Sequence, residues 1–378
     1  MKILHIVQRI DKKGGGIVSA LINILRIEKS IGMQSTVVSV RGEELDPVLL
    51  ESATINILKP SFPVRFSRSK EANNWLGKNV QNYDLVMIHS VWGCLPIEAS
   101  RISYNQRIPY VIWTHGSLDP SDLQKKKYAK KLLGPIMIRP ILDRSGAIVC
   151  TAEMEAERLE RYGAKARPKV LPLPINPPVK PGERERFRKK FLLNDDDFVL
   201  LFLSRIDYIK GLNFLVPAME KISANCPNIK LVIAGANWNG YEQNVRSWIL
   251  EYKLEERVII AGFLSGQDKY DAFAGSDCFV LPSMKENFGI SVVEALSAGL
   301  PVMISNGVYI WEKIVRNGGG WACDYSLESV TETITNILNS PFELKSKREN
   351  ARRVAELFSP EHLKPLYERF YQQVASKC

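Results

Sequence analysis

The sequence predicts an α/β protein with two Rossmann-like, doubly wound parallel-sheet domains facing a cleft. Three observations predict it. Short β-branched runs alternate with amphipathic stretches along most of the chain. Several of these runs are apolar nearly throughout, as parallel strands covered on both faces should be. One proline-dense segment near the middle divides the series in two.

In the first half, the pattern places strands at 2–8, 35–40, 54–58, 84–89, 109–114, 146–150 and 168–172. Amphipathic helical stretches lie between them, at 17–31 and 153–162 for example. Residues 172–182 then carry five prolines in eleven positions, which can continue neither helix nor strand. They define a linker at 173–183 between a domain at 1–172 and a second at 184–358. The second series has strands at 198–203, 230–234, 257–260, 277–281 and 301–304. Helices are expected at 211–224, 241–253, 289–298 and 326–338, and two charged helical segments at 343–357 and 360–377 close the chain. Open α/β sheets bind ligands at the carboxyl edges of their strands, so the chemistry is sought there.

Composition removes other classes. With 378 residues, 45% hydrophobic and 24% charged, the chain can bury two real cores, which excludes disorder. The stretch 17–25 is already interrupted by Ser19 and Asn23, far short of the roughly 18–20 apolar residues that span a bilayer. Arg9 and Asp11 come too early for a signal peptide, so a cytoplasmic protein is expected. The six cysteines form no C-x-x-C pair, and the four histidines show no metal-ligand spacing. Cys150 and Cys278 sit in apolar runs and read as buried small residues.

The net charge of +10 lies entirely in residues 1–170, which hold 26 Lys and Arg against 16 Asp and Glu. Such a half suits an anionic surface. The segment Lys125, Lys126, Lys127, Lys130 and Lys131, followed by LLGPIMI, fits an anionic bilayer or a solvated helix face about equally. Nucleic acid is not expected, because no aromatic-rich basic strand accompanies the charge.

Four segments follow strands and open helices or turns. In Leu281-Pro-Ser-Met-Lys-Glu-Asn-Phe-Gly-Ile-Ser-Val-Val-Glu294, Gly289 permits close backbone approach, and a helix start offers N–H groups to an anion. Glu286 and Glu294 are eight residues apart and can serve the hydroxyls of one ligand. An ordinary helix start with two solvated glutamates fits the same residues. In Ser204-Arg205-Ile-Asp-Tyr-Ile-Lys210-Gly211, two cations could stabilise a departing diphosphate, or simply be a basic loop. Gly14-Gly15-Gly16 after the first strand lacks both the dinucleotide and the P-loop fingerprints. His115, in Trp113-Thr-His-Gly116, ends a strand where it could hydrogen-bond a sugar hydroxyl. His89 is a weaker candidate of that kind, and His5 reads as core. Asn194-Asp-Asp-Asp197 precedes a strand at the wrong sheet edge and reads as a turn, with no divalent metal expected.

Taken in order, the glycine-rich loop, T-x-H-G, the proline-rich linker, S-R-x(4)-K-G and E-N-F-G-I-x(3)-E-A-x(2)-A-G-x-P-V resemble the retaining glycosyltransferases of the GT-B fold. The resemblance is to family 4, covers essentially the whole chain, and is most specific from Ser204 to Val302. It implies that the closing helix, 359–378, crosses back to the first domain. It implies that Arg205 and Lys210 contact the diphosphate of a nucleotide-sugar donor and that Glu286 contacts the transferred sugar. The backbone of Asn287, Phe288, Gly289 and Ile290 would meet sugar and phosphate, and Glu294 the ribose. Gly15 and Gly16 would lie near the diphosphate and acceptor, His115 near the transferred sugar, and Gly235 in the nucleotide pocket. The implied reaction retains anomeric configuration without a metal or other cofactor. A UDP-sugar is slightly favoured over a GDP-sugar, and the acceptor would be a glycan or a lipid-linked glycan at the cytoplasmic membrane face. The sequence departs from the family pattern at Asn306–Glu312, where paired glycines are common. A nucleotide-sugar epimerase and a non-catalytic nucleotide-sugar-binding protein are the alternatives of the same architecture.

Overall fold

The structure is a computed structural model and describes residues 1–11, 14–62, 66–119, 122, 128, 134–162, 166, 168–178 and 180–375. Lys125, Lys126, Lys127, Lys130 and Lys131 lie outside the described residues. The chain forms two compact units, Met1–Pro174 with Pro360–Cys378, and Ile175–Ser359.

In the first unit, β1 (Lys2–Val7), β2 (Gln34–Ser39), β3 (Thr54–Ile57), β4 (Leu85–His89), β5 (Tyr110–Trp113), β6 (Ala147–Cys150) and β7 (Pro168–Val170) form one sheet. Its order is β3-β2-β1-β4-β5-β6-β7, with parallel pairing. β1 is central, with Ile3 beside Ser35 on one side and Leu85 on the other. Covered strands need apolar residues on both faces, and every residue of β4, β5 and β6 is buried. The helix Gly16–Ser30 packs Val18, Leu21, Ile24 and Leu25 inward at helical spacing. That buried stripe also includes the carboxylate residue Glu28. The helix Pro360–Ala375 belongs to this unit and buries Leu363, Tyr367, Phe370 and Tyr371.

In the second unit, β8 (Phe198–Leu203), β9 (Ile229–Ala234), β10 (Val258–Gly262), β11 (Cys278–Leu281), β12 (Val302–Ser305) and β13 (Gly320–Cys323) follow the order β10-β9-β8-β11-β12-β13. β13 is the strand that the apolar pattern does not single out. Gly320 opens it because a Cβ there would stand 1.9 Å from the Val302 carbonyl oxygen.

The turn at 194–197 forms as read. The Asn194 N–H donates to the Asp197 carboxylate at 2.7 Å, and the Arg188 guanidinium donates to the Asp197 carbonyl at 3.1 Å. Cys150 and Cys278 are buried, and burial pushes the Cys278 thiol up to about 12. Among the described residues no helix is long and apolar enough to cross a membrane.

Candidate active site

The second unit gathers three of the sequence segments at the carboxyl end of its sheet. The loop after β8 runs through Arg205 into a short 3-10 turn, Tyr208–Lys210, closed by Gly211 at φ 78°. The loop after β11 carries Glu286 and ends at Gly289, φ 79°, where the helix Ile290–Ser297 begins. Glycine relieves the left-handed backbone at both corners. A backbone hydrogen bond from Met284 N–H to the Ile209 carbonyl, 2.8 Å, ties the loops together.

This tie brings the Lys210 ammonium onto the Glu286 carboxylate as a hydrogen-bonded ion pair. Lys210 is 5% exposed and the Glu286 side chain 23%. A nearly buried cation requires a counter-charge, and the carboxylate supplies it. The segment after β12 braces Glu286 from behind. Its N–H donates to the Gly307 carbonyl at 2.9 Å, and the Tyr309 N–H donates to its carbonyl at 3.0 Å. Gly307 cannot carry a side chain, since a Cβ would meet the Met284 and Ser283 carbonyls at 2.4 and 2.5 Å. The variant stretch 306–312 therefore supports the loop that carries Glu286.

Arg205 lies on the opposite wall of its loop. Its guanidinium stands 4.6 Å from the centre of the Trp238 ring, with a longer 3.8 Å pairing to Asp207. Such stacking fixes the plane of the guanidinium while leaving its edge available. Glu294 pairs with Lys269 at 2.7 Å. The two glutamates of E-x(7)-E thus each have a lysine of their own. Phe288 turns inward, edge-on to Phe358 at 5.5 Å, so its part in any ligand contact falls to its backbone. Asn287 is half-buried beside it. Gly235 adopts φ 154°, and a Cβ there would stand 1.7 Å from the Ser204 carbonyl. Its glycine requirement is explained by packing of the β9 loop on the β8 loop.

In the first unit, Gly15 has φ 58° at the start of the helix Gly16–Ser30, and a Cβ at Gly15 or Gly16 would meet nothing within 4 Å among the described residues. The backbone there is open to a ligand. His115 follows β5 with φ 45°, a left-handed conformation uncommon for a side-chain-bearing residue. Glu155, buried in the helix Glu153–Tyr162, holds this turn. One carboxylate oxygen accepts from the Thr114 hydroxyl and the Gly116 N–H, each at 2.6 Å, and the other from the Thr151 N–H at 2.7 Å. His115 Nε2 is 2.9 Å from His89 Nδ1. Burial lowers the His115 pKa to about 4, so the ring is neutral at pH 7.

Sequence reasoning missed Asp207, Trp238, Lys269, Glu155 and Glu28. Asp207 stands only two residues from Arg205 in the same loop, but the others meet partners far away in the chain, 25 residues for Lys269–Glu294 and 39 to 41 for the Glu155 contacts to Gly116 and Thr114, so no local spacing announces them.

Comparison with known proteins agrees with this architecture. The family model described as glycosyl transferases group 1 matches residues 183–355, and that of glycosyltransferase family 4 matches residues 15–178. An uncharacterized glycosyltransferase of Methanocaldococcus jannaschii is 32% identical over 162 residues, covering 42% of this chain and 40% of that protein. The alpha-monoglucosyldiacylglycerol synthase of Streptococcus pneumoniae is 24% identical over 180 residues, covering 46% and 40%. In both cases the match spans less than half of the relative's own length. HepE from Anabaena, crystallised with UDP and glucose, superposes with a TM-score of 0.81 at 18% identity, covering 98% of this chain and 99% of that one. That likeness is one of fold. With family models matching both halves of the chain and a two-sheet fold shared with HepE, the protein belongs to the group 1, family 4 glycosyltransferases of GT-B type.

Proposed function

We propose that the protein transfers a hexose from a UDP-sugar to a glycan or lipid-linked acceptor, with retention of anomeric configuration and without a metal ion. The observation that carries this reading is the Lys210–Glu286 pair, placed beside a helix start at the carboxyl edge of the second sheet. A diphosphate needs cations and N–H donors, and a sugar needs a carboxylate to accept from its hydroxyls. Lys210, Arg205 and the backbone from Asn287 to Ile290 supply the first set, and Glu286 supplies the second.

In this reading the bond from the anomeric carbon to the leaving phosphate oxygen breaks first, and Arg205 and Lys210 stabilise the charge that develops on the diphosphate. The acceptor oxygen enters on the same face, and the departing phosphate takes its proton. The protein contributes positioning and electrostatics. Glu294 holds the ribose hydroxyls once Lys269 shares it. From the first unit, His115 serves the transferred sugar, and the open backbone at Gly15 and Gly16 serves the diphosphate and the acceptor. The UDP preference draws support from HepE, crystallised with UDP and glucose, and the lipid-linked acceptor from the pneumococcal synthase. We place the protein peripherally on the cytoplasmic membrane face. The 70% exposure of Ile136, next to the lysine segment at 125–131, supports this.

A thermal-shift screen with UDP, GDP and their sugar conjugates tests the donor, with EDTA present throughout. A nucleotide at a hundred times its Kd adds about 2.7 kcal/mol of stability. A response to UDP that survives EDTA is expected. A response to GDP alone, or one that appears only with added divalent metal, would reject the donor or the metal-free part of the reading.

A further inference from the structure

Three of the four histidines of this chain form one hydrogen-bonded row inside the first unit. At its inner end, His5 Nε2 is 2.9 Å from a Glu28 carboxylate oxygen, with both side chains fully buried. His5 Nδ1 is 3.0 Å from His89 Nε2, and His89 Nδ1 is 2.9 Å from His115 Nε2. The ring planes are within 27° and 13° of parallel along the row. Each junction joins the Nδ1 of one ring to the Nε2 of the next, so the row has a direction.

Glu28 sets that direction. Besides His5, its carboxylate accepts from the Ser35 hydroxyl at 2.6 Å and from the Tyr371 hydroxyl of the C-terminal helix. Three donors converge on one carboxyl group, and only the ionised, acceptor-only form satisfies all three. His5 must then carry its proton on Nε2. If His5 is neutral, its Nδ1 is an acceptor, so His89 donates from Nε2. His89 Nδ1 is then an acceptor in turn, and His115 donates from Nε2.

We propose that Glu28, His5 and His89 are positioning residues that fix His115 as its Nε2–H tautomer, with Nδ1 held as a hydrogen-bond acceptor for a substrate hydroxyl. The last part rests on the glycosyltransferase reading of the site; the tautomer does not. Among the described residues, nothing is recorded within hydrogen-bonding distance of His115 Nδ1, and the ring is partly exposed. A proton taken up at Nδ1 also has a path inward. The His115 Nε2 proton passes to His89 Nδ1, the His89 Nε2 proton passes to His5 Nδ1, and the charge rests on His5 against the Glu28 carboxylate. The charged and titratable groups around the row are Glu28, Tyr367 and Tyr371 at the inner end, and Glu155, Asp119 and Arg158 around the turn that carries His115. Burial and the neighbouring rings hold His89 well below the usual histidine range, and burial lowers His115, so these two rings are neutral near pH 7.

The test is long-range proton–nitrogen NMR on the full chain labelled with 15N-histidine. Only four imidazoles contribute, and the exposed His362 gives an internal reference. In the wild type at pH 7, all three row histidines should show a protonated Nε2 and a bare Nδ1. His115 should not titrate between pH 7.5 and 5.5. His89→Phe keeps a ring in place but removes the acceptor of His115, which should then populate both tautomers, while burial still keeps it from titrating between pH 7.5 and 5.5. Glu28→Gln should mix the tautomers of His5 and of the rings beyond it. In a transfer assay, kcat/KM of His89→Phe should fall by about twofold or more, alike at pH 7.5 and 5.5, in step with the fraction of His115 that the spectra show as Nε2–H. An Nδ1–H tautomer at His115 in the wild type, or unchanged His115 spectra in His89→Phe, overturns the relay. The expected spectra with an unchanged kcat/KM overturn the substrate-facing role of Nδ1. If no sugar is transferred at all, the glycosyltransferase reading fails while the spectra still decide the relay.

Discussion

Gly211 and Gly240 offer a matched pair of substitutions that separates backbone strain from loop packing. Their φ angles are 78° and 77°, so alanine suffers the same left-handed penalty at both, about 1–2 kcal/mol. Their surroundings differ. A Cβ at Gly240 would meet nothing within 4 Å among the described residues, whereas at Gly211 it would stand 2.0 Å from the Pro282 carbonyl oxygen. Real Cβ atoms essentially never come under 3.0 Å, so Gly211→Ala must push the Lys210 turn and the Pro282 loop apart by about an ångström. Overpacking of that kind adds about 1–3 kcal/mol. At about 2–4 °C per kcal/mol for a unit of this size, Gly240→Ala should lower Tm by about 2–8 °C, and Gly211→Ala by about 4–20 °C. The movement also separates Lys210 from Glu286, and a 1 Å misplacement near the chemistry costs on the order of a hundredfold in rate. The assays are melting curves and kcat/KM for sugar transfer, with both variants measured at a temperature where each is folded. Equal Tm losses, or a Gly211→Ala variant with more than half the wild-type rate, would refute the argument that this contact sets the site.

Two further outcomes are expected. Lys210→Met and Glu286→Gln should each reduce transfer by about 10²- to 10³-fold, the usual cost of one electrostatic partner, as read in steady-state kinetics. Glu286→Gln should destabilise the fold more than Lys210→Met in melts at pH 7.5, because it strands a cation that is 5% exposed, while the Glu286 side chain is 23% exposed and can hydrate. Acid should weaken the first unit: the His115 pKa is about 4 in the fold against 6.5 unfolded, so the unfolded chain binds more protons between these values. Stability is full above about pH 6.5 and falls as pH drops toward 4, by at most about 3 kcal/mol for His115, and by less because the residue is only half-buried. Denaturant titrations at pH 7.5 and 5 should show that dependence, and His115→Phe should flatten it; an unchanged slope in the variant would reject the assignment.

How much of this was legible in the sequence follows from the distance over which each interaction acts. Strands covered on both faces need unbroken apolar residues, so FVLLFL and DLVMIH declare themselves. Helices such as Lys70–Asn79, whose buried residues are only Ala72 and Leu76, carry too thin a stripe to stand out. β13 escapes because Gly320-Trp-Ala-Cys323 is short and opens with a residue chosen for backbone clearance. Within the site, glycines at forced corners and charges after strands are local features, which is why Lys210, Glu286 and Gly289 could be named. The partners of those charges are set by sheet order, which local spacing does not encode. Glu28 shows this best: it sits in an amphipathic helix, 23 residues from His5 and 343 from Tyr371, and only the fold brings them together.

The ion pairs also explain how buried charges are tolerated at the carboxyl edge of the second sheet. An unpaired Lys210 at its observed burial would face a desolvation cost of several kcal/mol, and such groups neutralise or move to solvent instead. Glu286 removes that cost, and Lys269 does the same for Glu294. In the proposed function a diphosphate, with more negative charge than the single carboxylate it competes with, would draw Lys210 toward phosphate and free Glu286 to accept from sugar hydroxyls. On that proposal, one exchange of partners would turn the pair that holds the loop into the two contacts that transfer requires. The brace from Gly307 and Tyr309 holds the backbone of Glu286 during that exchange, so only side chains need to move.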